Sequence, residues 1–136
     1  MTREPITVPP EITNRQAIQL LLQHNISGLF VVDADGKMVG VITEFARRGR
    51  LYDPQMLRDQ VADYMTRDVV TVKETDLLTE AANLMILHRF RRLPVLSDGE
   101  PVGIISRRDL LRFVSQSEAT LSQYHYALTS FDAAAK

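Results

Sequence analysis

The sequence predicts an α+β fold of two β-α-β-β-α repeats packed as one globular module, and three observations carry that prediction. The first is an internal repeat. At an offset of 64, Met1-Thr2-Arg3 falls on Met65-Thr66-Arg67 and Thr7-Val8 on Thr71-Val72, while Ala17, Leu20, His24, Leu29 and Val31 meet Ala81, Leu84, His88, Leu93 and Val95. After one skipped residue the offset becomes 63, and Asp35-Gly36, Val39-Gly40 and Ile42 meet Asp98-Gly99, Val102-Gly103 and Ile105. These are about fifteen identities where chance gives only a few. The second observation is the order of patterns within each copy, a helical apolar stripe followed by two alternating stretches around a turn. The third is size: a chain of 136 residues, 45% of them hydrophobic, can fill one ordinary core, whereas a single copy is too small to cover both faces of its own sheet.

Each copy opens on a short extended Thr-Val segment. A helix follows, marked by Ala17, Ile18, Leu21 and Leu22 in the first copy and by Leu78, Ala81, Ala82 and Met85 in the second, with Thr13 and Asp76 as N-caps. A β-hairpin comes next, over 29–32 and 38–43 around Asp35-Gly36, and over 93–96 and 102–106 around Asp98-Gly99. An Asp-Gly pair supplies the positive φ angles that a tight hairpin turn needs. A second helix closes each copy. The copies therefore occupy 1–50 and 65–114, joined by a linker over 51–64 that holds the Asp53-Pro54 turn signal and a short amphipathic stretch leading into the second copy. No such stretch precedes Met1, so the first copy lacks its leading helix, either through truncation or because the tail supplies the packing. In that tail, 115–136, Leu121, Tyr124, Leu128 and Phe131 share one helical face, a stripe suited to docking on its own domain, on a dimer mate or on another protein.

Composition narrows the function. Sixteen basic residues against seventeen acidic ones leave a net charge of -1, which removes the overall basic excess expected of a nucleic-acid binder, so any anion site is local. Cysteine is absent, which excludes thiolate nucleophiles, zinc-thiolate sites and disulfides and makes a reducing cytoplasm the expected compartment. No apolar run approaches the roughly 20 residues of a membrane span. There is no Walker loop, dinucleotide fingerprint, serine elbow or motif-placed pair of carboxylates, so the chain is expected not to be an enzyme and to carry no catalytic cofactor.

Four segments carry a family resemblance: Tyr64-Met65-Thr66-Arg67-Asp68-Val69-Val70-Thr71-Val72, Ser27-Gly28-Leu29-Phe30-Val31-Val32-Asp33, Arg92-Leu93-Pro94-Val95 and Gly103-Ile104-Ile105-Ser106-Arg107-Arg108-Asp109. With the repeat, they make the chain resemble a tandem pair of CBS domains, the regulatory module named after cystathionine β-synthase, in the form of a stand-alone CBS domain protein. The resemblance implies two copies related by a pseudo-twofold axis, with two clefts in which members bind AMP, ADP, ATP, NAD(H) or S-adenosylmethionine. It also implies a homodimer formed through exposed helical faces, and an adenine-nucleotide or energy-sensing role read by a regulated partner protein. In the second cleft the adenine would lie against Thr71, Val72, Arg92, Leu93 and Pro94.

The chemistry of the last motif agrees with such a ligand. Ser106 comes where strand turns to helix, so its hydroxyl and the unpaired N–H groups of the first turn can receive a phosphate oxygen. Asp109, one turn on, is an acceptor for the two hydroxyls of a ribose, and Arg107 and Arg108 add cationic donors. Thirteen of the sixteen basic residues are arginine, whose fork holds phosphate bidentately. Gly103 marks a close approach of another backbone or of a ligand. A second reading of the same residues stands beside this one: Ser-x-x-Asp before Leu110-Leu111 is also a capping box that needs no ligand. The first copy keeps the glycine and hydroxyl in Gly40 and Thr43 but has Ala46 in the place of Asp109, so its cleft, lined by Thr7, Gly28, Phe30 and Thr43, is expected to be weaker or empty.

His24 and His88 sit at equivalent helix ends, where partial positive charge suits the helix dipole, and no metal-ligand spacing surrounds them. His125 reads as a surface or partner contact. In His88-Arg89-Phe90-Arg91-Arg92, Arg91 or Arg92 is placed to reach nucleotide phosphates; a solvated helix end and a single-strand nucleic-acid site are the alternatives. Arg47, Arg48 and Arg50 form a similar patch after the first hairpin. The leading expectation is a non-catalytic module binding an adenosine-containing ligand mainly in the second cleft, and the alternative is a ligand-free interaction scaffold using the helical faces and the tail.

Overall fold

The computed structural model describes residues 2–3, 5–26, 28–43 and 54–117. Twelve elements follow in order: β1 (Thr2–Arg3), β2 (Thr7–Val8), α1 (Asn14–His24), β3 (Gly28–Val32), β4 (Met38–Thr43), α2 (Pro54–Arg58), a single 3-10 turn (Val61–Asp63), β5 (Val72–Lys73), α3 (Leu78–His88), β6 (Arg92–Ser97), β7 (Glu100–Ser106) and α4 (Arg107–Ser117). The chain divides into two compact units, Pro5–Val69 and Met1–Glu4 with Val70–Lys136.

The unit holding the first copy has a three-stranded sheet in the order β2-β3-β4, with β2 parallel and β4 antiparallel to β3. Thr13 is the N-cap of α1 and makes a full capping box with Gln16, each side chain bonded to the other's backbone N–H. The helix ends in a Schellman motif: Asn25 takes the left-handed conformation at φ 51°, while the N–H groups of Asn25 and Ile26 donate to the Leu22 and Leu21 carbonyls at 3.3 and 3.0 Å. Val8, Ala17, Leu29, Val31 and Ile42 form the core, and Leu20 and Leu21 pack against it. Leu22 does not: it is 77% exposed, so the buried face of α1 runs through Ala17, Leu20 and Leu21 rather than the stripe expected to include Leu22.

Residues 54–65, expected to lead into the second copy, complete the core of the first. Val61 and Met65 are buried in it, the Asn14 N–H donates to the Asp59 carbonyl at 2.9 Å, and the wholly buried Asn14 Nδ2 donates to the Met56 carbonyl at 2.8 Å. Thr66 exchanges both backbone hydrogen bonds with Val41, at 2.9 and 3.0 Å. Gly40 is required by this approach, since a Cβ there would stand 2.7 Å from Met65 Sδ and 2.9 Å from the Thr66 carbonyl oxygen. The tail stripe at Leu121, Tyr124, Leu128 and Phe131, His125, the arginines 47, 48 and 50, Ala46 and the helix expected after the first hairpin lie outside the described residues.

The other unit has a four-stranded sheet in the order β1-β7-β6-β5. Here α3 and α4 cover one sheet face: Leu78, Ala81, Ala82, Met85 and Leu110 pack on Val72, Leu93, Val95 and Ile105. All four residues of the expected α3 stripe are buried. Leu93, 1% exposed, contributes roughly 2 kcal/mol by leaving water. The hairpin turn is a two-residue one, with Asp98 at φ 49° and Gly99 at φ 83° between Ser97 and Glu100. The first hairpin has one residue more, and there Asp33 Oδ1 accepts the N–H groups of Asp35 and Lys37. Asp76 is not the N-cap of α3; Leu77 is, and Asp76 instead accepts the Lys73 N–H at 2.8 Å to close the β5–α3 turn. One edge strand of this sheet is β1, with Thr2 opposite Ile104 and Arg3 opposite Gly103. The leading Met-Thr-Arg segment of each repeat thus pairs with the hairpin of the other, and the glycine expected to admit a backbone or a ligand stands opposite a backbone.

Candidate functional site

One end of the second sheet gathers the residues that the sequence singled out. Arg92 at the start of β6 is directly opposite Ser106 at the end of β7, Leu93 is opposite Ile105, and Pro94 is opposite Ile104. Since cross-strand partners share a face and neighbours alternate, Arg92, Pro94, Ile104 and Ser106 lie on the sheet face turned away from α3 and α4. Thr71 immediately precedes β5, whose pairing starts at Val72 opposite Val95. Val72 and Leu93 point the other way, into the core, so of these two only the backbone faces that side.

Proline at position 94 alters the ladder. In the first unit the equivalent Phe30 donates its N–H to the Ile6 carbonyl at 3.2 Å, and parallel pairing begins at Thr7 opposite Phe30. Pro94 has no N–H to give, so pairing of β5 with β6 begins one residue later, at Val72 opposite Val95. The Val70 carbonyl, equivalent to that of Ile6, thereby loses its ladder donor. It lies two residues before β5, an edge strand of the sheet. Val70 belongs to a family-like segment, but the role of its carbonyl is signalled only by a proline in a strand with neighbours on both sides.

Ser106 and Asp109 hold each other. The Ser106 N–H and hydroxyl both donate to Asp109 Oδ2, at 2.8 and 3.0 Å, and the Asp109 N–H donates to Ser106 Oγ at 3.2 Å. This is the capping-box geometry, and it also fixes the carboxylate at the sheet end beside Arg92. Arg107 takes a role that the sequence reading did not give it. Its amide donates to the Arg91 carbonyl at 2.9 Å, its Nε to the Phe90 carbonyl at 2.8 Å and its Nη2 to the Met85 carbonyl at 3.0 Å. Its guanidinium therefore caps the end of α3 rather than standing beside Arg108 as a second cation for a ligand. Arg108, Arg91 and Arg92 are exposed, and His88 stacks on Phe90 at a centroid distance of 5.4 Å.

The first unit repeats the layout with different groups. Thr7 is opposite Phe30 and Gly28 is opposite Thr43, the same register as in the second copy. A surface pocket in this unit opens at the far end of β2 and β3, around Pro10, Glu11, Asp33 and Ala34, and shares only Thr7 with the expected cleft. Among the described residues, no cluster of three His, Asp or Glu side chains could hold a metal ion, and no helix is long and apolar enough to cross a membrane.

A β-α-β-β arrangement that occurs twice in one chain defines a tandem-repeat α+β protein. The chain belongs to the CBS-domain family, whose model matches residues 1–45 and 61–116. A CBS-domain protein, CBSX2, solved in complex with AMP, superposes with a TM-score of 0.71 at 30% identity, covering 88% of this chain and 95% of that one. The CBS domain pair of protein MJ0100, solved with 5′-methylthioadenosine and S-adenosyl-L-methionine, gives a TM-score of 0.68 at 30% identity over 85% of this chain and 91% of that one. In sequence, the inosine-5′-monophosphate dehydrogenase of Methanocaldococcus jannaschii is 40% identical over 114 residues, 81% of this chain but only 22% of the dehydrogenase. The chain thus spans about a fifth of that enzyme.

Proposed function

We propose that the protein is a non-catalytic regulatory module that binds an adenosine-containing ligand at the second-copy site and reports it to a partner protein. The observation that carries this reading is the meeting, at one sheet end, of an acceptor without its ladder donor (the Val70 carbonyl) and a fixed carboxylate (Asp109). An adenine amino group suits the first and a ribose diol suits the second. The backbone of Thr71, Val72, Leu93 and Pro94 would flank the base, Ser106 and the first turn of α4 would meet the 5′ substituent, and Arg92 and Arg108 would meet its charge. The AMP and S-adenosylmethionine complexes of the similar structures support this class of ligand.

The first-copy site, at Thr7, Gly28, Phe30 and Thr43, binds more weakly or not at all, because Phe30 already occupies the Ile6 carbonyl and Ala46 replaces the carboxylate. The chain forms a homodimer through helical faces, to which the repeat-equivalent Leu22 and Ile86, 77% and 73% exposed, belong. It acts in the cytoplasm. A ligand regulates only through its differential affinity for the partner-competent state, so tight binding by itself is not the signal.

Calorimetric titration with AMP, ATP, NADH and S-adenosylmethionine tests the reading. The expected result is saturable binding of at least one ligand near one per chain, weakened about 100-fold in Asp109→Ala, as loss of charge-assisted hydrogen bonds to a ribose implies. Two equal sites per chain would overturn the asymmetry. No binding at all would favour the second reading, a ligand-free scaffold, in which the mutual Ser106–Asp109 bonds are simply a helix cap.

A further inference from the structure

We infer that the tail of the chain covers the start of α3: residues 117–125 dock on the second copy as 54–62 dock on the first, with Tyr124 in the place of Val61. In the first unit that docking has a fixed form. Thr13 stands opposite Gln60 in an isolated antiparallel bridge, the Asn14 N–H donates to the Asp59 carbonyl, and the N–H groups of Val61 and Ala62 donate to the Ile12 and Pro10 carbonyls at 2.9 and 3.2 Å. Val61 is thereby wholly buried in the core. In the second unit the counterparts of the receiving groups are the Leu78 N–H and the carbonyls of Asp76 and Glu74, and none of them bonds to a described residue. Leu77, the N-cap, gives α3 no side-chain cap either. The first turn of α3 is thus left with N–H groups to be met from outside the helix.

Three observations name the occupant. The first is register. Carried past the hairpins, the offset of 63 places Gln60 on Gln123, Val61 on Tyr124 and Met65 on Leu128, so two members of the tail stripe fall on the side chains that 54–65 buries in the first core. The second is direction. α3 crosses between the parallel strands β5 and β6 and so runs against them, while α4 follows β7, which is antiparallel to β6, and packs on the same core. α4 therefore runs back along α3: its start is bonded to the end of α3 through Arg107 and the Met85 carbonyl, and its own end, at Ser117, points toward Leu77. The third is chemistry. Where α1 opens on Thr13, held in its capping box by Gln16, α3 opens on the half-buried Leu77, an apolar neighbour for an aromatic ring. The docked stretch stops short of Thr129, whose counterpart Thr66 pairs with Val41, because Thr2 already holds the equivalent Ile104. The first copy is packed by 54–65, and it is the second that draws on the tail.

The chain has no cysteine, so an engineered pair reports the contact directly. Thr13 and Gln60 form a non-hydrogen-bonded antiparallel pair, a geometry with Cα atoms about 4.5 Å apart and within disulfide reach, and Leu77 with Gln123 is its counterpart. Under mild oxidation of the full chain, Leu77→Cys combined with Gln123→Cys should close an intrachain disulfide as completely as Thr13→Cys combined with Gln60→Cys, whereas Leu77→Cys combined with Ser130→Cys should stay reduced. In a second measurement, Tyr124→Ser should speed amide exchange at Leu78 and Thr79 about tenfold and leave Asn14 unchanged. A disulfide between two chains would give the place to the tail of a second copy and overturn the inference. Failure of the Leu77 and Gln123 pair to close, or exchange at Leu78 that ignores Tyr124, would overturn it as well. None of these outcomes depends on a ligand, so the adenosine reading is tested separately.

Discussion

Helices α1 and α3 end at equivalent points of the repeat, and the carbonyls of Leu21 and Met85 are equivalent acceptors, yet they are satisfied in different ways. Leu21 receives the N–H of Ile26, five residues on, in a closure that any chain with a left-handed residue at position 25 can make. Met85 receives the guanidinium of Arg107, 22 residues on, across the whole hairpin. The first closure is local and independent of the rest of the unit. The second makes the end of α3 depend on the start of α4, so the loop between α3 and β6 is coupled to the cap formed by Ser106 and Asp109. The same asymmetry governs the sheet ends, where Phe30 fills the ladder that Pro94 leaves open.

Substitutions can break this comparison at either copy. The largest stability change is expected at Gly40→Ala, because the added Cβ meets Met65 Sδ and the Thr66 backbone closer than 3 Å; overpacking of this kind costs about 2 kcal/mol, to be read from urea denaturation. Next comes Arg107→Met, which removes two charge-assisted hydrogen bonds at a part-exposed position. A loss of about 1.5 kcal/mol is expected, together with faster amide exchange in the last turn of α3 and unchanged exchange in the last turn of α1. The smallest stability effect belongs to Pro94→Ala. The new N–H can complete the ladder to Val70, but relief of the proline's restriction on the unfolded chain offsets that gain, so the net change stays within about 1 kcal/mol. Its value lies in binding: the restored donor should compete with an adenine amino group and weaken any adenosine ligand several-fold, making the second copy behave like the first.

Much of the fold was legible because it depends on local chemistry. The repeat, both Asp-Gly turns and the Thr13 cap each follow from residues within a few positions of one another. Asp76 was misassigned by one residue: Thr13 aligns with Leu77, and an aspartate just before a helix can close a turn as readily as it can cap. The role of residues 54–65 was not legible, since an amphipathic stretch shows that it packs but not on which neighbour. At the candidate site, Ser106, Asp109 and the flanking strands could be read from spacing and family resemblance. Arg107 could not, because its partners are backbone carbonyls, which every residue carries. The Val70 carbonyl escaped for a related reason: its availability comes from a proton missing on Pro94, a feature visible only once the strands are in register.

The exchange of leading segments between the repeats also bears on how the chain reaches its folded state. The unit Pro5–Val69 is continuous and can be assembled as soon as its last residue is available. The other is closed at its edge by Thr2–Arg3, which must wait for Gly103 and Ile104, about a hundred residues later. That pairing closes a loop of about a hundred residues, an entropy cost that a two-residue strand must meet. Until it forms, β7 presents a bare backbone edge, the kind of surface on which strands from separate molecules add to one another.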